Sequence, residues 1–79
     1  MPIISRFLGI IIAMYWNDHA RYGDYEITVD IETGAVSGTF PKRALRLVLE
    51  WYELHKDELM DDWELCRLSQ MPRPISPLE

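Results

Sequence analysis

The sequence predicts an α+β fold, a small antiparallel sheet of three or four strands followed by two helices packed on one face. Two observations carry this. Before residue 41 the chain holds β-branched and aromatic runs with two-residue alternation, punctuated by Gly9 and Gly34, the pattern of short strands. From Lys42 onward apolar residues recur at three- and four-residue spacing, the pattern of helices with one dry face.

Residues 3–7 read as a first strand and residues 9–15 as a second, with Gly9 at the break where a bend is needed. "IIIAMYW" is apolar on both faces, which predicts a central strand covered by helix on one side and by a partner or loop on the other. The polar "NDHARYGD" that follows reads as a connector. In "YEITVDIET", Tyr25, Ile27, Val29 and Ile31 share one face, while Glu26, Thr28, Asp30 and Glu32 share the wet one. "ETGA" supplies a turn in which Gly34 takes positive φ, so that "AVSGTF" returns as an antiparallel edge strand.

Pro41 suits a helix start, where its missing N–H costs nothing. Leu45, Val48, Leu49 and Tyr52 form the first apolar stripe, widened by Trp51 and by Leu54 or His55. A single helix over residues 42–69 would extend ~42 Å, too long for so small a core, so a break is expected over residues 55–57 with Asp57 as the following cap. The second helix then buries Leu59, Trp63 and Cys66 or the stem of Arg67, leaving Asp57, Glu58, Asp61, Asp62 and Glu64 wet. The three prolines of "MPRPISPLE" forbid helix, so residues 71–79 read as an extended tail.

With 79 residues the chain reads as one domain, 1–79, because a core of this size buries only roughly 60% of the unfolded surface and does not divide again. Hydrophobic residues at 48% against charged residues at 27% exclude intrinsic disorder. The net charge of -5 weighs against broad attraction to phosphate backbones but leaves local basic patches open. A single cysteine, Cys66, makes neither an internal disulfide nor a cysteine-rich zinc site, which points to a reducing cytoplasm. Residues 3–16 are largely apolar, but Arg6 interrupts them and they are too few to span a bilayer, so no membrane association is expected.

The chain contains no phosphate-cradling glycine loop, Cys-x-x-Cys pair or serine elbow. Its candidate chemistry is therefore local. Asp18, His19 and Arg21 cluster in the connector, where functional groups concentrate and where these three can donate, accept and hold an anion. His55 and Glu58 stand one helical turn apart, a spacing that can ligate a metal or position a general base, or that leaves His55 a packing or helix-terminal residue. Lys42, Arg43 and Arg46 open the first helix against its dipole, which suggests either an acidic partner or RNA, or ion pairs with Asp30, Glu32 or the acidic second helix. Tyr15, Trp16, Trp51, Tyr52 and Trp63 read as core or subunit-interface residues. No metal or cofactor is implied by any of these groupings.

The stretches "MPIISRFLGIIIAMYWNDH", "YGDYEITVDIETGAVSGTFPKRALRLVLEWYELHKDELMDDWEL" and "ISPL" together resemble the bacterial family called domain of unknown function 4160 over nearly the whole chain. "RALRLVLEW", "LHKDEL" and Trp63 fall where that family has its helices. Its members are often encoded beside a second small family, domain of unknown function 2442, in a toxin–antitoxin-like arrangement. The resemblance thus implies a toxin component of a type II module, neutralised by a small antitoxin of the domain of unknown function 2442 type. This chain departs from the family where "DHARYG" runs straight through, about five residues shorter than the family's histidine-rich insert, so two further histidines are absent.

The function expected is therefore a bacterial toxin-like protein. A non-enzymatic protein-interaction module is the alternative, and a small histidine-dependent ribonuclease ranks below both. Asp18, His19 and Arg21 are the candidate catalytic residues. Lys42, Arg43, Arg46, Ile75 and Leu78 are the candidate partner or RNA contacts, with Ile75 and Leu78 adding to a neighbouring sheet edge, in an antitoxin or in a second copy of this chain, or else folding back on their own domain.

Overall fold

The computed structural model describes residues 2–14 and 17–78. Tyr15 and Trp16, read above as a strand end and as core or interface aromatics, lie outside them. Five strands, β1 (Ile3–Phe7), β2 (Ile10–Met14), β3 (Asp18–Tyr22), β4 (Tyr25–Val29) and β5 (Val36–Thr39), precede two helices, α1 (Lys42–Leu54) and α2 (Lys56–Arg67). The strands form one antiparallel meander in chain order. The α+β class and the sheet-then-helix order stand as expected, but the sheet has five strands rather than three or four.

The additional strand is the supposed connector. Residues 18–22 pair with β2 on one side and β4 on the other, placing β3 at the centre of the sheet. Its polar side chains concealed it, because "DHARY" puts charge on both faces and shows no apolar period. Gly23, with φ +59, lets the chain reverse in two residues between Tyr22 and Tyr25, the economical hairpin geometry that makes a strand possible here. Gly34 likewise takes φ +75 in the turn before β5, as its placement in the sequence predicts.

One sheet face is dry. Ile4, Phe7, Ile10, Ile12, Met14, Ala20, Ile27 and Val29 form a core with Ala44, Val48, Trp51 and Tyr52 of α1 and Leu59 of α2. A bulge in β1 between Ile3 and Ser5 puts Ile4 and Ser5 in succession into buried positions. The buried stripe of α1 is Ala44, Val48, Trp51 and Tyr52, rotated from the one expected: Leu45 is only partly buried, while Leu49 and Leu54 are exposed. The helix break falls at His55, whose backbone leaves helical geometry. Asp57 is not the cap of α2; it lies in the first turn beside Glu58, where both complement the dipole.

The tail is extended, as its prolines require, but it is not free. Ile75 donates its N–H to the Ile4 carbonyl at 2.7 Å, Trp51 Nε1 donates to the Ser76 carbonyl at 2.8 Å, and Arg73 N–H reaches Asp62 Oδ1 at 2.9 Å. Ile75 is buried and Leu78 packs on the same core. Of the two readings of the tail, this is the fold-back: the edge that Ile75 meets is β1 of its own chain. Burying one such isoleucine stabilises by about 2 kcal/mol, to which the three hydrogen bonds and the packing of Leu78 add.

Candidate functional site

Alternation along β3 decides what the candidate residues can do together. Successive side chains of a strand point to opposite faces, so Asp18 joins Ala20 on the helix-covered side, while His19 and Arg21 join the open side. Register confirms the division: Asp18 stands in a row with Met14, Val29 and Val36, and His19 in a row with Ala13 and Thr28. The three residues adjacent in sequence therefore do not form one constellation.

On the open side, Glu26 of β4 faces both His19 and Arg21. His19 Nδ1 lies 3.6 Å from Glu26 Oε1 and the Arg21 guanidinium 3.4 Å from Oε2. With Ile3, Ile11 and Ala13 they line a shallow cleft of about 230 Å³. A histidine, an arginine and a carboxylate over an apolar floor can hold a polar ligand, but no nucleophile stands beside them in that lining.

The covered side is electrostatically unusual. Asp18 is 2% exposed, and neither carboxylate oxygen has a hydrogen-bond partner among the described residues. Burial, reinforced by the charge of Asp62, pushes its pKa from 3.8 up to about 7. Asp62 of α2 is also 2% exposed. Its Oδ1 accepts the Arg73 N–H, while its Oδ2 is unpartnered among the described residues. Burial raises its carboxyl, the Arg73 N–H and charge oppose that, and Asp61 and Glu58 raise it further. Nearby, burial and then both aspartates raise the Cys66 thiol. Burial, Asp18 and Asp30 raise the Tyr52 phenol, whose O–H donates to the Asp30 carbonyl at 3.2 Å.

Asp62 was assigned above to the wet face, and the structure corrects this. The signal was present in the sequence: Leu59, Asp62 and Cys66 are spaced three and four apart, on one helical stripe. His55 and Glu58 do meet, at 2.8 Å, and the His55 ring lies 5.4 Å from that of Trp51. The pair staples the α1–α2 joint. Among the described residues no group of three His, Cys, Asp or Glu is placed to hold a metal ion.

Lys42, Arg43 and Arg46 are exposed, and none is ion-paired among the described residues. Neither Asp30, Glu32 nor α2 neutralises them. The first turn of α1 carries no acid and no side-chain cap, so three positive charges stand at the positive end of a dipole. Arg43 borders a cleft of about 290 Å³ shared with Leu8, Ile10, Tyr22, Pro41, Ala44 and Leu47. Leu8, 63% exposed, sits in its mouth with φ +51, a left-handed backbone that few leucines adopt.

The fold and these sites define a small α+β protein with a helix-covered antiparallel meander, a carboxyl pair in its core and an unpaired basic patch at one end. The chain belongs to the family described as Domain of unknown function (DUF4160), whose profile matches residues 9–64, more than half of its length. No curated protein and no solved structure matches it. Among the described residues no helix is long and apolar enough to cross a membrane.

Proposed function

We propose that this chain is the toxin-like half of a bacterial type II toxin–antitoxin module, that it acts in the cytoplasm, and that a small protein of the domain of unknown function 2442 type neutralises it. The observation that carries the binding role is the basic patch. In a chain of net charge -5, Lys42, Arg43 and Arg46 are exposed and without an ion pair among the described residues, and Arg43 borders an apolar cleft. Unneutralised charge next to exposed apolar surface is what an acidic protein partner uses, the charge steering encounter and the apolar contact giving affinity.

The separation of Asp18 from His19 and Arg21 removes it from any joint site with them, so the basic patch rather than this trio supports the reading. Induced expression should arrest growth, and co-expression of the neighbouring small protein should relieve it. The double change Arg43→Glu, Arg46→Glu should weaken association with that protein at least tenfold and flatten its salt dependence. Absence of arrest sinks the toxin reading. Association indifferent to both salt and charge reversal sinks the role of the patch.

A further inference from the structure

We propose that Asp18 and Asp62 form a proton-operated latch on the C-terminal strap: with Asp18 protonated the strap is closed, and loss of that proton to solvent releases residues 73–75. The geometry is specific. Two fully buried carboxyl groups stand on different layers, one on the central strand and one on α2. Three of their four oxygens lack a partner among the described residues, and the fourth holds the strap through the Arg73 N–H. The strap is otherwise tied by Ile75 N–H on Ile4 and by the Trp51 indole on Ser76.

With Asp18 protonated, only Asp62 of the two carries charge, and the Arg73 N–H stabilises it. When both ionise, two like charges share a dry space with no donor for Asp18. Asp18 cannot retreat, because β3 is paired on both sides. Asp62 can, because it lines an open cleft of about 420 Å³ with Glu58, Asp61, Leu65, Arg73 and Ile75. Turning toward water there takes it off the Arg73 N–H. The other groups near the pair make this direction the favoured one: Glu58, Asp61 and Cys66 on α2 and Tyr52 on α1, with Asp30 beyond it, provide no cation, and Arg73 belongs to the strap itself. Burial lifts Asp18 to about 7, so the transition lies near neutral pH. Release uncovers the β1 edge that Ile75 covers.

Amide hydrogen exchange on the full chain, followed by NMR at about pH 6 and about pH 8 and corrected for the intrinsic rate, tests this. The Arg73 and Ile75 amides should lose about tenfold in protection at the higher pH, while sheet amides of β2 and β3 keep theirs. In Asp18→Asn, and independently in Asp62→Asn, where one charge is gone and the carbonyl can still accept from Arg73, the strap amides should keep their protection at both pH values. Equal strap protection at both pH values in the parent overturns the latch. So does a parallel loss in the sheet amides, or a strap that opens equally in whichever variant folds.

Discussion

The two faces of β3 carry neighbouring residues into opposite physical worlds. On the open side, Arg21 meets Glu26 at an ordinary surface ion-pair distance, with His19 beside them, and there water screens the charges and the net gain is small. On the covered side, Asp18 has no partner among the described residues and is pushed up to about 7. A one-residue step along a strand therefore changes a side chain's chemistry more than its identity does. Adjacency in sequence is poor evidence for a joint site once the segment is extended.

The largest way to probe this contrast is Asp18→Asn. The folded protein holds the Asp18 proton more tightly than the unfolded chain does, so the stabilising effect of protonation is complete below pH ~4 and is lost as pH rises to about 7. The gap between 3.8 and about 7 corresponds to on the order of 4 kcal/mol, an upper bound because opening the strap relieves part of it. The variant should match the parent near pH 4 and exceed its stability near pH 8, as read by urea unfolding at each pH. A variant less stable than the parent at the higher pH would mean that Asp18 has a donor.

A second comparison uses adjacent isoleucines of β2. Ile12 is fully buried beneath the helices and Ile11 only half-buried on the open face. Ile12→Ala should cost about 2–5 kcal/mol, and Ile11→Ala roughly half that or less, measured as shifts in urea midpoint at unchanged slope. Similar costs would show that something covers the open face in solution. The smallest effect belongs to Glu26→Gln, which should change stability by less than ~1 kcal/mol and diminish further in high salt.

Most elements were legible because one period dominated each of them. Ile27, Val29 and Ile31 alternate cleanly, Gly34 marks its turn, and the long apolar pattern after Pro41 could not be one helix in so small a domain. β3 was not legible, since Asp18, His19 and Arg21 offer no apolar face and the strand exists through pairing on both sides and the Gly23 hairpin. The α1 stripe was misplaced for a related reason: Ala44 carries little hydrophobic weight, yet it is buried in line with Val48, Trp51 and Tyr52, leaving larger Leu49 and Leu54 outside. Asp62 lay hidden among acids that are wet. Its burial depends on the strap closing over it, a long-range contact that no local pattern reports.

The account stands on Asp18 being dry and separated from His19. The most direct measurement is a pH titration of the Asp18 side-chain carboxyl carbon by NMR in the parent protein, assigned through Asp18→Asn. A midpoint at about 7 is the result expected for a carboxyl buried against Asp62 beneath the helices. A midpoint near 3.8, the ordinary value, would place Asp18 in water beside His19 and Arg21 and contradict both the division of β3 and the latch built on it.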